Sequence, residues 1–307
     1  MIPSFKHKES GASGPWLEAW KRFRKNRLAL IGLILFALIL LGIIWIPILS
    51  PYTWNQVDGS MKYAPPSAAH WFGTMRNGND LFVNIWYGGR ESLLYALVAT
   101  VVYLFTGTML GLWAGYHGKK VDFFLNHIMD FVHALPHIPI LMVGAIGLTA
   151  REWRAPQILL VAMVTYGFLS SPVLFKVIRS QVISIKSQEF MHAAQILGLS
   201  KRAQVYGHIL PNVLTHVVVA LSLMISQAIL IELMLFFIGI GYRGGEFTPM
   251  KPTWGNLIPN IRGFDAYKNY HWLTFFPIMT IIVVTSSLKL IGEGLREALD
   301  PKSQKMH

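Results

Sequence analysis

The run Glu189-Phe190-Met191-His192-Ala193-Ala194-Gln195-Ile196-Leu197-Gly198, continued by Leu199-Ser200 and closed by Ile209-Leu210-Pro211-Asn212, is a polar island between strongly apolar segments. Phe190, Ala193, Ala194 and Leu197 fall at i, i+3, i+4 and i+7. A short helix here would present one shallow apolar stripe suited to a groove on another protein. Gly198 would end that helix, because glycine accepts the left-handed C-cap conformation without a Cβ penalty. Ser200 then offers its hydroxyl to the free N–H groups of a second short helix, predicted to stop before Pro211. The expected unit is two small helices joined by a turn, outside any membrane span.

The flanking segments make up most of the chain. Of 307 residues, 53% are hydrophobic and only 14% are charged, against roughly 25% charged in a soluble domain, and mean hydropathy is +0.44. This predicts an all-α polytopic membrane protein. The net charge of +12 is read as loop charge that sets topology and not as a nucleic-acid footprint. The absence of cysteine excludes a disulfide framework, thiol catalysis and Cys-ligated zinc. No G-x-x-x-x-G-K-[ST] loop occurs, so this chain does not cradle nucleotide phosphates in that manner.

In chain order, residues 1–27 are a start segment whose Trp16 to Arg27 part interleaves aromatic and basic residues, a pattern for a membrane-surface helix. An uncleaved first anchor is predicted at 28–49, followed by a polar outer loop at 50–91. The core, 92–301, is expected to hold five more spans, near Ser92–Tyr116, Phe123–Leu148, Ile158–Ile178, Val213–Ile240 and Trp272–Ile291. The polar island lies within a loop at 179–212, and 302–307 is a tail. Six spans put both termini on one side. The 27 basic residues then split 18 to 9 in favour of that side, so the positive-inside rule makes both termini and the island cytoplasmic in a cell-membrane protein.

The island resembles the "EAA" loop of membrane subunits of ABC importers, in its Ala193-Ala194, Gly198 and Ile209-Leu210-Pro211 spacing, with His192 where the name-giving acid would stand. The stretch His70-Trp71-Phe72-Gly73-Thr74 with Gly78, Asp80, Gly88, Arg90 and Ser92-Leu93 is similar to the HPxGT…GRD…G.R.SL pattern of the second permease subunit of oligopeptide and dipeptide importers; Asn79 departs from it. Gly111 to Tyr116, Asp130 with Pro136, Glu232 to Gly241, Pro252-Thr253-Trp254-Gly255 and Gly292 to Pro301 follow in the family's order. The resemblance implies six transmembrane helices, a MetI-like permease core with one extra N-terminal helix. It also implies a second permease subunit, two cytoplasmic ATPases that bind the ATP and Mg, and an extracytoplasmic binding protein that delivers peptides. On this reading Phe190, Ala193, Ala194, Leu197, Gly198, Ile209, Leu210 and Pro211 dock on an ATPase, and the chain itself needs no cofactor, binds no nucleic acid and performs no catalysis. Import of nickel or another small solute is the alternative cargo. A secondary transporter or channel is the alternative class, and it would show paired intramembrane ionisable groups or inverted repeats.

Glu232 is an acid in the middle of the fifth predicted span, and a lone carboxylate facing lipid costs about 2.5 to 3.5 kcal/mol. It is expected to face protein or the translocation path, with Lys289 as a candidate partner; Asp130 is the second path candidate. His127, Asp130, His133 and His137 would share one helical face. One helix seldom closes a coordination sphere, so no metal site is assigned. Gly32, Gly42, Gly107, Gly111 and Gly115 are read as close helix packing, and Trp54, Trp71, Trp86, Trp254 and Trp272 as interfacial anchors.

Overall fold

The computed structural model describes residues 15–239, 242–243, 246–247, 251–258 and 269–299. The first fourteen residues, Ile240-Gly241, Arg262, Lys268, Asp300-Pro301 and the 302–307 tail lie outside them. Helix α1 (Pro15–Phe23) precedes the long helices α2 (Arg27–Leu49), α3 (Leu81–His117) and α6 (Ala155–Lys186). Between α3 and α6 come α4 (Lys119–Ala134) and α5 (His137–Ala150). After α6 follow the short α7 (Glu189–Ile196) and α8 (Lys201–Gln204), a π-helical turn (Val205–Ile209) and α9 (Leu210–Phe237). The chain then passes through a two-residue ladder of β1 (Tyr242–Arg243) and β2 (Glu246–Phe247), the single turn α10 (Trp254–Leu257) and α11 (Trp272–Leu299). Among the described residues α2, α3, α6, the continuous helix Lys201–Phe237 and α11 are each long and apolar enough to cross a membrane, and α4 with α5 is the sixth candidate as a bent pair.

Three predicted boundaries are corrected. The third span is not one straight helix, because α4 and α5 meet at 74°. Pro136 disfavours helical backbone at the residue before it, and Leu135 is accordingly extended (φ −71°, ψ 131°). His137 therefore leaves the helical face shared by His127, Asp130 and His133. Second, the outer loop ends at Asp80 and not at residue 91. Asp80 caps α3 by accepting the Val83 N–H at 2.8 Å and lies 2.8 Å from His70 Nδ1. Third, the helix begun at Ser200 does not stop before Pro211. Proline is tolerated in the first turn of α9, and Asn212 Nδ2 donates to the His208 carbonyl at 2.6 Å.

Glycines 88 and 89, read as loop residues, belong inside α3 because neighbours come too close for a side chain. A Cβ on Gly88 would sit 3.2 Å from the Thr253 carbonyl carbon, and one on Gly89 would overlap Ile43 and the Trp254 ring. The same argument explains the α3–α6 seam, the most extensive helix pairing in the chain. Cβ atoms at Gly107, Gly111 and Gly115 would each come within 3.0 Å of a carbonyl oxygen of α6, at Ser171, Phe175 and Arg179 respectively. The four-residue spacing puts all three on one side of α3. Gly32 lies against Ser287 and Leu290 of α11, and Gly42 against the Trp86 ring.

Two prolines inside spans leave carbonyls that other side chains cover. Pro47 in α2 has no N–H for the Ile43 carbonyl. Arg90 of α3 supplies the missing donor, with Nε to Ile43 O, and its Nη2 donates to the adjacent Ile44 O, both at 2.9 Å. In α6, Pro172 frees the Phe168 carbonyl, and Ser171 Oγ donates to it at 2.7 Å. Arg90→Leu is expected to destabilise the chain by about 1–3 kcal/mol, the range for leaving one buried acceptor, here Ile43 O, unpaired. Pro47→Ala, which restores a backbone N–H at the gap, should recover part of that loss. Thermal unfolding of the purified chain in detergent checks this, and an equal loss in both backgrounds would mean that Arg90 acts elsewhere.

Candidate functional site

The module between α6 and α9 takes its shape from local capping. Leu199 N–H donates to the Ala194 carbonyl at 3.1 Å across Gly198, whose φ is +77°. This six-to-one bond over a left-handed glycine is the Schellman arrangement. Ser200 Oγ accepts the Ala203 N–H at 3.2 Å and starts α8. The turn is thus as predicted, whereas the stripe is divided. Phe190, Ala193 and Leu197 are exposed, Leu197 at 79% and its neighbour Ile196 at 87%, but Ala194 is only 7% exposed and turns inward with Met191. Ile209 is likewise fully buried, Leu210 half-buried, and Pro211 exposed. The periodicity is right for one face of a helix; what a sequence does not fix is which edge of that face packs on the chain's own spans.

Side chains tie this module to the rest of the bundle. Lys186, at the end of α6, donates to the Tyr116 carbonyl, and Tyr116 Oη donates to Gln204 Oε1 at 3.3 Å. Gln204 Nε2 in turn donates to the Leu199 carbonyl at 2.9 Å, inside the turn. Below them Arg179 of α6 grips both carboxylate oxygens of Asp122 on α4, with Nη2 to Oδ2 at 2.6 Å. Because α8, the π turn and α9 run on without a break, the module sits at one end of a 37-residue helix about 55 Å long at 1.5 Å per residue.

Near the other end of that helix is Glu232, 1% exposed. Its Oε1 accepts from Ser92 Oγ of α3 at 3.0 Å and from the Gly255 N–H at 3.4 Å. Ser92 Oγ also accepts the Trp254 N–H at 2.9 Å, and Trp254 Nε1 donates to the Ile85 carbonyl at 2.9 Å. Thr253 and Asn256 cap the turn reciprocally, at 3.2 and 2.9 Å. The segment Pro252–Ile258 is buried throughout, so a turn of the chain between α9 and α11 is inserted between α3, α9 and α11 as a plug. Glu232 therefore lies inside the chain's own core and faces protein, one of the two placements expected of it, with Ser92 and Gly255 as partners of Oε1; Lys289, the candidate partner, is exposed. Trp254 and Trp272, expected at the membrane interface, are both buried, whereas Trp71 is exposed.

Asp130, the other path candidate, is half-exposed on α4 and paired with Lys176 of α6 at 2.7 Å and Asn126 at 2.9 Å. Among the described residues no group of three or more His, Asp or Glu is arranged to hold a metal ion. The sequence reading missed Ile196, Met191, Ser92 and the depth of Trp254. The signal for Trp254 was present, since Thr253-Trp254-Gly255-Asn256 is a capping box, whereas Ser92 stood at the edge of the predicted span and lies inside a helix only because α3 begins at Leu81.

The described residues thus hold five candidate spans, or six with the bent pair, an exposed helical module at one end of the helix Lys201–Phe237 and a buried turn near its other end. The chain belongs to the family of binding-protein-dependent transport system inner membrane components, whose model matches residues 107–305. Residues 14–66 match the N-terminal TM domain of oligopeptide transport permease C. It is 36% identical to the dipeptide transport system permease protein DppC of Alkalihalophilus pseudofirmus over 293 residues, covering 95% of this chain and 91% of that one. It is 35% identical to the oligopeptide transport system permease protein OppC of Escherichia coli K12, covering 94% and 92%. With OppC of Bacillus subtilis it shares 32%, covering 94% and 90%. The chain is thus a multi-span inner-membrane permease subunit.

Proposed function

We propose that this chain is one of two permease subunits that form the translocation path of an ATP-driven importer for peptides delivered by an extracytoplasmic binding protein. Two cytoplasmic ATPases bind ATP and Mg and drive the cycle. The names of the relatives favour dipeptides or oligopeptides over nickel or another small solute, and membership of the family sets aside a secondary transporter or channel. The observation that carries the reading is the exposed apolar edge of α7 on a turn fixed by Gly198. Phe190, Ala193, Leu197 and the neighbouring Ile196 are the surface offered to an ATPase groove. Gly198 sets the angle between the two small helices, Ala194 and Ile209 turn inward to anchor them, and Leu210 and Pro211 carry the chain on into α9.

The mechanism follows from the continuity of Lys201–Phe237. When the ATPases close, each draws its docked module, and a rigid helix carries that displacement to the Glu232–Ser92–Trp254 knot. Shifting the knot releases the Pro252–Ile258 plug from between α3 and α9 and opens the path outward, which is alternating access. Asp130 and Lys176, exposed within the spans, are the groups that meet water in the path.

The testing experiment is reconstitution of the chain with its partner permease, ATPases and binding protein in vesicles. Hydrolysis stimulated by peptide-loaded binding protein, together with uptake of labelled peptide, is the expected result; stimulation by a nickel complex and not by peptide would overturn the cargo. Orientation is read in the same vesicles with single cysteines, since the natural chain has none. A cysteine at Ser67 should label from the binding-protein side and one at Ser200 from the ATPase side; the reverse pattern defeats the topology.

A further inference from the structure

Helix α1 is fixed to the end of α11 and turns a cationic, partly apolar face outward. Ala19 and Phe23, four residues apart, are buried. Phe23 forms a small cluster with Ala29 and Ala298, and a Cβ on Gly294 would lie 3.2 Å from its ring. Asn26 Nδ2 donates to Glu297 Oε2 at 2.7 Å and locks the turn between α1 and α2. The helix is thus held in place by packing on a neighbouring span.

Its outward face is chemically specific. Leu17, Trp20, Lys21 and Arg24 stand at i, i+3, i+4 and i+7 and are all exposed, Lys25 follows in the turn, and the exposed Arg27 opens α2. Arg22 has Glu18 at 3.7 Å, whereas Lys21, Arg24, Lys25 and Arg27 have no carboxylate partner among the described residues. Only the turn of residues 24–26 separates this helix, with its exposed apolar pair Leu17 and Trp20, from the first span, whose Leu28 and Ile31 are also exposed. A soluble partner would leave that proximity unused, while a lipid leaflet takes both features at once. Its acyl boundary receives Leu17 and the indole, and its phosphates meet the cations.

We infer that α1 is a binding site for anionic phospholipid, with Lys21, Arg24, Lys25 and Arg27 holding headgroup phosphates and Leu17 and Trp20 seated at the acyl boundary. Because α1 packs on α11, lipid held there also secures the join between the first and last spans.

The full-length chain in phosphatidylcholine nanodiscs tests this, with spin-labelled phosphatidylglycerol and spin-labelled phosphatidylcholine as probes and the motionally restricted fraction of each as the readout. The wild type should select phosphatidylglycerol, less so as salt rises. Lys21→Gln with Arg24→Gln should lower that selection by about fivefold for each residue neutralised. Lys21→Arg should retain it, as should Lys62→Gln with Arg76→Gln in the outer loop. All these side chains are exposed, so the fold is undisturbed, which the unfolding midpoint verifies. Equal affinity for the two lipids in the wild type, or selection that survives the double substitution, overturns the inference. So does an unchanged lipid preference accompanied by loss of a protein subunit from the purified complex, which would make the face a protein interface.

Discussion

Trp254→Ala is expected to destabilise the chain by about 3–5 kcal/mol, the range for emptying a fully buried aromatic site. Trp254 is the largest fully buried side chain described, and its indole N–H is bonded to the Ile85 carbonyl. Alanine leaves that carbonyl without its donor and opens a cavity between α3, α9 and α10. Trp71→Ala, at a largely exposed indole of the loop between α2 and α3, should change little. Glu232 is expected to separate packing from bonding at the same place. Glu232→Gln keeps a carbonyl oxygen for Ser92 and Gly255, while Glu232→Leu leaves both donors without an acceptor, at about 1–3 kcal/mol each. Unfolding of the purified variants in detergent measures the series. Equal midpoints for Trp254→Ala and Trp71→Ala would show that the plug carries no stability.

What the sequence made legible was whatever depends on local geometry. The Gly198 turn, the Ser200 cap and the small-residue seam at Gly107, Gly111 and Gly115 follow from backbone sterics over a few residues, and each is in place. What it hid was set by distant partners. Arg90 looked like a loop charge because its acceptors are the Ile43 carbonyl freed by Pro47 and the adjacent Ile44 carbonyl, more than forty residues earlier. Glu232 was expected to face protein or the path, and the choice between them rested on Ser92 and Gly255, which come from two other elements. The division of the 190–197 stripe depended on where α7 lies against its neighbours, which no helical wheel contains. His137 was misplaced for a different reason: the Pro136 signal was local and visible, but hydropathy alone bridged it.

The second large effect is expected in the module itself. Leu197→Asp should lower association with the ATPases by on the order of 100-fold or more, because a carboxylate entering an apolar groove loses its solvation and each 1.4 kcal/mol of that cost is tenfold in affinity. Binding-protein-stimulated hydrolysis and uptake should fall with it. The variant should still insert, since Leu197 is exposed and lies outside every candidate span. Ala194→Asp should fail differently. Ala194 faces inward beside Met191, so the new carboxylate is buried against the chain's own helices and the module loosens. Limited proteolysis near Gly198 should then increase, which Leu197→Asp should not cause. Gly198→Leu falls between them, adding about 1–2 kcal/mol of left-handed strain without burying a charge, and should weaken coupling more than insertion. The three are compared by membrane abundance, proteolysis and ATPase co-purification. If Leu197→Asp keeps its ATPases and imports at the wild-type rate, the exposed edge of α7 is only a connecting surface, and the coupling route along α9 has no handle at this end.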